Sequence, residues 1–248
     1  MDFDLTGIEF SRKDVKKGLR LPVQLNENLA EDIGIMVGDG HVGAHSHKGC
    51  INYEICVSGD AITDRDYVGS YVLDLKKKLY NLNFYLMFVG KKKTEIRIQT
   101  YSKGLVEFYS RMGLPLGKKI NIRVPKIIRN SNVKIKKAFL RGFGDTDGGL
   151  ILRKKQKDSK YYLSVKLGSS SKFLIEDIGE LLTQLGFTFT ASYDMHSIHS
   201  KTGRESISHE ISLNGFKKVE KWMQEIGSSN VMTNNRFLAN RNSGPAEI

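Results

Sequence analysis

The feature that most constrains the fold of this chain is an internal duplication. An acidic, glycine-rich segment occurs twice, reading LAEDIGIMVGDGH at 29–41 and AFLRGFGDTDGGL at 138–150. Each copy is followed by an alternating strand, an amphipathic helix, two further strand-like runs and a short helix. The charge also divides equally, because residues 1–133 hold 21 basic and 15 acidic residues and residues 134–248 hold 18 and 12. A repeated order of elements predicts two halves with the same fold.

We predict an α+β protein made of two pseudo-symmetric αββαββα halves with antiparallel sheets, although alternation marks only three of the four strands in each half. The segment at 113–134 lacks periodicity and contains two of the four prolines, which is typical of a linker. The end of the chain has no clear pattern and is expected to be loosely ordered. The predicted divisions are an N-terminal arm at 1–25, a first half at 26–112, a linker at 113–133, a second half at 134–235 and a C-terminal tail at 236–248.

The composition indicates a basic intracellular protein with a substantial core. Of the 248 residues 40% are hydrophobic, which excludes a disordered chain, and the formal net charge is +12. The sequence has no apolar run of the ~20 residues that a membrane-spanning helix needs, and its N-terminus does not resemble a signal peptide. Because Cys50 and Cys56 are its only cysteines, we expect no disulfide framework and an intracellular location in the cytoplasm, the nucleoid or an organelle. The excess positive charge favours a nucleic acid as partner.

Alternation along the predicted strands places apolar and polar side chains on opposite faces of the sheets. In the strand at 94–99, Ile96 and Ile98 lie opposite Arg97. The polar face is either an ordinary half-exposed surface or a surface that reads base edges in a major groove, where arginine favours guanine and glutamine favours adenine. The residues predicted on this DNA-binding face are Glu54, Arg97, Gln99, Ser164 and Lys166. The residues of a predicted hairpin tip that are expected to contact phosphate are Lys154, Lys155 and Lys157.

Small residues four positions apart line one face of each glycine-rich segment, which we predict to be helical. The first segment has Gly34 and Gly38, and the second has Gly142 and Thr146. Such a stripe allows the backbone of another helix to approach closely. We therefore expect the two helices to pack against each other along Gly34, Gly38 and Gly142.

An aspartate followed by a glycine stands at the end of each predicted helix, at Asp39 and at Asp147. A glycine suits a helix C-terminus, but an aspartate there is unfavourable by ~0.3–1 kcal/mol, and two that meet repel each other. A cation between the two carboxylates would remove this conflict. Oxygen ligands with open positions suit Mg²⁺, or another divalent cation such as Mn²⁺, which keeps coordination sites for water and a substrate phosphate.

Two rival interpretations of the glycine motifs fail on the residues that follow. GDGHVG at 38–43 matches the glycine pattern of a dinucleotide site, with Asp60 about twenty residues further on. Such a site needs a helix immediately after the glycines, and AHSHKGCINYEICV is not a helix. DTDGG resembles the start of a calcium loop, but Gly148 comes too early and Gln156 stands where a glutamate is needed.

A third alternative is a zinc site, because His41, His45, His47 and Cys50 lie close together in the sequence. Their spacing matches no common arrangement of zinc ligands. We prefer to interpret this cluster as a loop that is solvated or faces phosphate.

The two acidic segments together resemble the signature of the LAGLIDADG homing endonucleases, in their single-chain form with two motifs. DIGIMVGDG at 32–40 and LRGFGDTDG at 140–148 can both be laid on the nine-residue signature. The second copy keeps acids at the sixth and eighth positions, Asp145 and Asp147, whereas the first has Val37 at the sixth. Two matches about a hundred residues apart are far more specific than one.

The resemblance covers roughly residues 21–227 and implies a fold, a partner and a reaction. The implied fold is a pseudo-twofold monomer whose sheets form a saddle over the major groove of double-stranded DNA. The implied reaction is a site-specific, metal-dependent break of both DNA strands by phosphodiester hydrolysis. In the family the eighth-position acids, here Asp39 and Asp147, are catalytic and bind the metal, and the preceding backbone carbonyls, here of Gly38 and Thr146, join the coordination.

Basic residues beside the acids are expected to stabilise the charge of the reacting phosphate. The positions that would align with them in this chain carry no lysine or arginine, since they are Ser58, Gly59, Ser170 and Ser171. The candidates for this role are therefore Lys166 and Arg153, and Arg153 is also predicted to bind DNA.

Two alternatives on the same scaffold stay open at this point, an intron RNA maturase and a non-cleaving nucleic-acid-binding protein. Intact acids in both motifs favour the endonuclease over the non-cleaving protein. Intein splicing is disfavoured, because the chain begins with Met1 and ends SGPAEI, without the terminal His-Asn pair and the N-terminal nucleophile that self-splicing needs.

Overall fold

The two halves predicted from the sequence have the same order of elements. A computed structural model describes residues 3–47, 49–154, 161–198 and 202–241. The first half contains α2 (Glu27–Val37), β1 (Gly40–His47), β2 (Cys50–Asp60), a π-helical segment (Tyr67–Val72) that continues as α3 (Leu73–Tyr80), β3 (Tyr85–Val89), β4 (Glu95–Tyr101) and α4 (Lys103–Arg111). The second half contains α6 (Val133–Gly144), β5 (Gly148–Lys154), β6 (Tyr161–Ser169), α7 (Lys172–Gln184), β7 (Thr190–Ile198), β8 (Glu205–Asn214) and α8 (Phe216–Glu225). Outside this repeat lie α1 (Arg12–Lys17), α5 (Lys126–Arg129) and α9 (Val231–Arg241).

Each half builds one antiparallel sheet, with strand order β1-β2-β4-β3 in the first and β5-β6-β8-β7 in the second. The prediction of an α+β fold with two αββαββα halves is therefore confirmed. The registers agree as well, because Gly40 pairs with Val57 in the first sheet and Gly148 pairs with Leu167 in the second. Within the part of the chain that the structure describes, no helix is long and apolar enough to cross a membrane.

Equivalent residues start the two motif helices. The side chain of Asn26 accepts a hydrogen bond from the backbone N–H of Leu29 at the start of α2. The side chain of Asn132 does the same for the N–H of Ile135 at the start of α6. Asparagine is among the best N-cap residues, because its side-chain oxygen satisfies a backbone donor that has no partner within the helix.

The helices α2 and α6 pack against each other with almost no side chain between them at the glycines. A Cβ atom on Gly142 would overlap the carbonyl oxygen of Glu31 and lie 3.0 Å from its carbonyl carbon. A Cβ atom on Gly34 would overlap the carbonyl oxygen of Phe139 and lie 2.9 Å from the backbone nitrogen of Phe143. Backbone meets backbone at these points, so no larger residue fits without moving a helix.

A buried acid fastens this helix pair to the rest of the protein. Glu31 of α2 is 1% exposed and accepts hydrogen bonds from Tyr71 (2.7 Å) and from Nε of Arg141 in α6 (2.9 Å). It also accepts one from the hydroxyl of Ser229 (2.6 Å), which lies between α8 and α9. A single carboxylate therefore ties together both halves and the C-terminal segment. The sequence reasoning did not single out Glu31.

A second buried acid forms an ion pair inside the first half. Asp32 and Lys76 are both fully buried, and Lys76 Nζ lies 2.6 Å from Asp32 Oδ1. The hydroxyls of Tyr80 and Tyr109 donate to the other carboxylate oxygen, so both oxygens are satisfied. The first position of the second motif is Leu140, which is also fully buried. The same position thus holds a buried charge in one half and a buried apolar side chain in the other.

The N-terminal arm packs against the first half. Leu19 is buried in the core, and the carboxylate of Asp14 accepts a hydrogen bond from the backbone N–H of Gly104 in α4 (3.2 Å). The arm therefore covers part of α4.

The prediction of a loosely ordered tail from residue 236 is wrong for 236–241, which form the second half of α9. Phe237 is buried against Phe216 with stacked rings, because α9 has an apolar side that the sequence reasoning overlooked. Arg236 donates to the backbone carbonyl of Leu150 in β5 (2.7 Å). Residues 242–248 lie outside the described part of the chain.

We expect Gly142→Ala to destabilise the protein by at least about 3 kcal/mol, because the new methyl group would force α2 and α6 apart. Urea unfolding measures this loss. Gly179→Ala is the matched control, since Gly179 is also helical but a Cβ there would meet only side-chain atoms, the nearest at 3.2 Å. The control should stay within about 1 kcal/mol of the wild type. Equal losses for the two variants would contradict the close backbone approach.

We expect Lys76→Met alone to cost about 3–5 kcal/mol, because it leaves the Asp32 carboxylate buried without its cation. The double variant Asp32→Leu/Lys76→Met should recover part of that loss, because it removes the unpaired carboxylate and the equivalent position in the second half, Leu140, is apolar. Recovery is incomplete because the buried hydroxyls of Tyr80 and Tyr109 lose their acceptor. Unfolding free energies of the two variants test this coupling. A double variant no more stable than Lys76→Met would show that the pair is not interchangeable with apolar packing.

Candidate active site at the ends of the motif helices

The motif helices bring two acids to one place. A Cβ atom on Gly38, at the end of α2, would overlap the side chain of Thr146 and lie 3.3 Å from the backbone nitrogen of Asp147. Asp39 follows Gly38 directly, so both eighth-position acids lie where the C-terminal ends of α2 and α6 meet. The structure thus places together Gly38, Thr146, Asp39 and Asp147, which the sequence assigned to one site.

Each acid resists ionisation in this environment. Burial raises the pKa of Asp39 to about 7, and the nearby Asp147 carboxylate adds to the shift. Burial likewise raises the pKa of Asp147, while Lys119 works in the opposite direction. One side of Asp39 nevertheless remains open to solvent. The two groups are therefore sheltered enough to interact strongly and open enough for a ligand to approach.

Among the described residues, the cation that acts on both acids is Lys119, from the linker between α4 and α5. Its ammonium group donates to the backbone carbonyls of Val37 (2.9 Å) and Gly38 at the negative end of α2. Burial lowers the pKa of Lys119, whereas Asp147 and Asp39 raise it. The linker is held beside β1 by a hydrogen bond from the N–H of Gly117 to the carbonyl of Val42 (2.7 Å). Lys119 thus offsets part of the negative charge that gathers where the motifs end.

Lys119 was missed by the sequence reasoning, which looked for basic residues on the strands. Arg153 and Lys166, the candidates from the sequence, instead form ion pairs with Glu210 on the second sheet. The sequence reasoning considered periodic strands, whereas Lys119 comes from a segment without periodicity. Nothing in the spacing separates Lys119 from its neighbour Lys118, so only the folded chain identifies it.

The donor set at the site suits a hard divalent cation. Among the described residues, no three His, Cys, Asp or Glu side chains lie close enough together to hold a metal ion by themselves. The two carboxylates and the helix-end carbonyls supply a few oxygen donors, and the Lys119 ammonium already occupies part of this negatively charged position. Mg²⁺ is commonly bound by one or two carboxylates, with water and phosphate completing its shell. The residues present therefore fit such an ion.

The other acid of the second motif, Asp145, has a structural partner. Its carboxylate accepts hydrogen bonds from the backbone N–H of Ser229 (2.6 Å) and from the hydroxyl of Ser228. Burial raises the pKa of Asp145 to about 7, and these hydrogen bonds oppose the rise. Asp145 thus anchors the segment before α9. The corresponding residue of the first motif is the buried Val37.

On the first sheet, the predicted DNA-binding residues share a face but differ in access. The guanidinium of Arg97 binds Glu95 through Nε (3.0 Å) and Nη2 (2.8 Å) and remains 30% exposed. Gln99 is only 7% exposed, and its amide donates to the hydroxyl of Tyr101 (2.5 Å). The expectation that Gln99 is free to read adenine is therefore corrected, because a neighbouring side chain already holds it. Glu54 lies 3.9 Å from the imidazole of His45.

On the second sheet, Ser164 is corrected in the same way. Its side chain is fully buried and donates to Asn214 (2.8 Å), so it cannot contact a base as it stands. Lys166 and Arg153 are accessible and lie on the polar face with Glu210. Lys154 is exposed at the end of β5, one residue after Arg153 and hence on the opposite face of the strand. Lys155 and Lys157 lie outside the described residues.

The histidine cluster forms a surface of the first sheet beside the acids. The rings of His41 and His45 stack with their centres 5.9 Å apart, and a Cβ atom on Gly43 would fall between them, 2.7 Å and 2.6 Å from their Nε2 atoms. Gly43 therefore leaves room for this stacked pair. Cys50 is exposed at the start of β2, and nothing is described for the side chain of His47.

Comparison with known proteins agrees with this geometry. Residues 134–226 match the family model of the LAGLIDADG-like domain. The replication factor C small subunit of Methanocaldococcus jannaschii is 28% identical over 204 residues, which are 82% of this chain and 10% of that protein. The chain thus spans a tenth of the length of this relative.

Two solved structures extend the likeness to both halves. The homing endonuclease I-DmoI in complex with DNA and Ca has a TM-score of 0.57 at 16% identity, and the match covers 87% of this chain and 97% of that one. The LAGLIDADG meganuclease I-AabMI bound to uncleaved DNA has a TM-score of 0.55 at 12% identity, with 88% and 91% covered. The predicted resemblance to the single-chain LAGLIDADG homing endonucleases is confirmed. At these identities, what is shared is the fold.

We expect Asp39→Asn to stabilise the metal-free protein at pH 8. Because the folded pKa of Asp39 is raised above its unfolded value of 3.8, the folded state binds more protons between pH ~4 and ~7, and stability falls as the pH rises through that window. The variant escapes this loss, so its Tm at pH 8 with EDTA should be higher by only about 2–4 °C, since solvent screens the open side of the carboxylate. At pH 4 the two proteins should melt alike.

The control for this measurement is Asp74→Asn, which removes an exposed carboxylate on α3. An equal pH-dependent rise in Tm for this control would show that the effect does not come from the site of Asp39. A drop in Tm for Asp39→Asn at pH 8 would show that the Asp39 carboxylate is net favourable in the metal-free state.

Proposed function

We propose that this protein is a site-specific, metal-dependent DNA endonuclease of the homing type, which cuts both strands of a long duplex by phosphodiester hydrolysis. It acts as a monomer, because its two halves provide the twofold arrangement that a duplex requires. The observation that carries the proposal is the meeting of Asp39 and Asp147 with Lys119 at the ends of α2 and α6. The DNA complexes of the structural neighbours favour DNA as the substrate over intron RNA.

Asp39 and Asp147, with the backbone carbonyls of Gly38 and Thr146, would hold Mg²⁺ or another divalent cation such as Mn²⁺. Such an ion would polarise the scissile phosphate and lower the pKa of a bound water molecule. The helix pair α2 and α6 holds the two acids at a fixed separation. Repulsion between the two acids would favour binding of the ion. The close glycine contacts would limit movement of its ligands.

Lys119 supplies a positive charge where a phosphate has to approach two acids. Its ammonium group is held in place by hydrogen bonds to the backbone carbonyls of Val37 and Gly38. Arriving phosphate oxygens can compete for the same donors, because an ammonium group rotates freely and carries three protons. The proposed role of Lys119 is to offset the repulsion of the phosphate and the charge that develops on it.

The sheets supply the DNA-binding surface on either side of this centre. Accessible cations of the polar faces are Arg97 on the first sheet and Lys166 and Arg153 on the second. Cationic and hydrogen-bonding side chains on a sheet face can enter a major groove and read base edges. The net charge of +12 adds attraction to phosphates that does not depend on sequence.

We expect Asp39→Asn and Asp147→Asn each to lower double-strand cleavage by at least about 100-fold, because losing a metal ligand removes several kcal/mol of transition-state stabilisation. A pool of long random duplexes with Mg²⁺, sequenced at the ends of the cut products, reveals the wild-type site and the rate. Affinity for the selected duplex in Ca²⁺ should change by less than about 3-fold, since most contacts lie on the sheets.

Asp74→Asn, which removes an exposed acid far from the motif ends in sequence, is the matched control and should cut like the wild type. Selective binding by the wild type without cleavage would support the non-cleaving alternative. Full cleavage by either motif variant would remove that acid from the proposed site.

A further inference from the structure

The duplicated register gives most residues of the first sheet an equivalent in the second. The alignment starts at the motif glycines, from which β1 and β5 begin. The residues paired in a row across the first sheet are Gly40, Val57, Ile98 and Leu86. The corresponding row of the second sheet is Gly148, Leu167, Ile211 and Ala191. The central residues of both rows are fully buried, so these rows face the core and their neighbours face the other way.

Two rows on the polar face flank this core row. The row beside the acids, here called the inner row, is Ser58, Arg97 and Met87 in the first sheet and Gly168, Glu210 and Ser192 in the second. The next row on the same face, here called the outer row, is His41, Cys56, Gln99 and Tyr85 in the first sheet and Gly149, Lys166, Ser212 and Thr190 in the second. The inner row adjoins the acids because the N–H groups of Ser58 and Gly168 donate to the carbonyls of Asp39 (3.4 Å) and Asp147 (3.0 Å).

The central position of the inner row has opposite charges in the two halves. It is Arg97 in the first sheet and Glu210 in the second. Arg97 is held from one side, by Glu95 and by Ser58 (3.2 Å), through Nε and Nη2. The edge of the guanidinium that includes Nη1 is therefore the one left to meet a ligand. Two parallel N–H donors on such an edge match the O6 and N7 acceptors of guanine.

Glu210 is arranged quite differently. Its side chain is only 10% exposed, and its carboxylate binds Lys166 (2.5 Å), Arg153 and the hydroxyl of Ser212 (2.6 Å). Because these partners cover the carboxylate, it has little access to a base. It instead fixes the two cations, of which Lys166 keeps 43% of its side chain exposed. Between these two rows of the second half, the accessible positive charge thus belongs to the outer row, since Arg153 pairs with Tyr162 further along β5.

We propose that the two sheets read their half-sites out of step, with Arg97 contacting a guanine from the inner row and Lys166 contacting one from the outer row. This inference rests on the proposed function, since it needs DNA on the polar faces. Two residues along a strand span about 6.6–6.8 Å, and neighbouring base pairs are 3.4 Å apart. The guanine read by Lys166 therefore lies about two base pairs further from the cleavage centre than the guanine read by Arg97. Glu210 is a positioning residue in the second half.

The test is a position-by-position profile of the selected target. Wild type, Arg97→Ala, Lys166→Ala and Glu210→Gln are each bound in Ca²⁺ to a library in which every base pair of that target is varied. Arg97→Ala should lose about 5- to 150-fold of guanine preference at one position of the first half-site. Lys166→Ala should do so at a position about two base pairs further from the centre in the other half-site.

Glu210→Gln separates positioning from general stability. It should weaken the preference at the Lys166 position and leave the first half-site unchanged, although its Tm stays near that of the wild type. Lys78→Ala, which removes an exposed lysine of α3, is the control and should leave the whole profile as it is. Preferences lost at equal distances from the centre, uniform weakening by Lys166→Ala, or an unchanged profile for Glu210→Gln would overturn the proposal.

The outcome is separable from that for the proposed function. A wild-type protein that binds one site selectively but never cuts it contradicts the endonuclease, while the binding profiles still decide how Arg97 and Lys166 read DNA. A protein that cuts one site, but whose Arg97→Ala and Lys166→Ala profiles match the wild type, keeps the endonuclease and loses the readout. Absence of any selective binding overturns both.

Discussion

The close approach of α2 and α6 is the constraint on which the rest of the structure depends. At Gly34 and Gly142 the backbone of one helix touches that of the other, so the relative position of the two halves is set by main-chain atoms. Side chains can adopt other rotamers, but backbones in contact have little freedom to shift. This rigidity carries through to the helix ends and fixes where Asp39 and Asp147 lie. A site built on such a contact tolerates change in the sheets better than change at the glycines.

The arrangement that brings the acids together is unfavourable by itself. Two carboxylates with raised pKa values meet at the negative ends of two helices, and Lys119 offsets only part of their charge. The proposed divalent cation would recover the stability lost at this point, because binding to the folded state alone stabilises it. Without the cation, the acids are held in place by apolar packing in the core and by the hydrogen bonds of Glu31 to Arg141 and Ser229. The Asp39 carboxylate thus serves the proposed function but lowers the stability of the metal-free protein. Gly142, in contrast, serves both stability and the placement of the acids.

The sequence predicts the repeated elements well where periodicity is strong. The alternation around Ile96 and Ile98 located β4, and the two glycine stripes located the helix interface. Periodicity failed to predict β1, because its sequence GHVGAHSH has little alternation of apolar and polar residues. It also failed for α9, and for Lys119, which reaches the site from an irregular linker. Such contacts are decided by tertiary packing, which leaves no local pattern. The solvent exposure of a side chain also depends on tertiary packing. The sequence therefore did not predict that Ser164 is buried.

Duplication gives the two halves the same backbone but does not keep their side chains equal. The buried Asp32 of the first motif corresponds to Leu140, Val37 corresponds to Asp145, and Arg97 corresponds to Glu210. Each exchange is accommodated by new partners: Lys76 for Asp32, the segment before α9 for Asp145, and two cations for Glu210. A homodimer could not diverge in this way, because every substitution would appear in both subunits. In the proposed function, joining two copies in one chain therefore frees each sheet to bind a different DNA sequence, while the glycine contact, which needs both helices, keeps the two motif helices in a nearly symmetric arrangement.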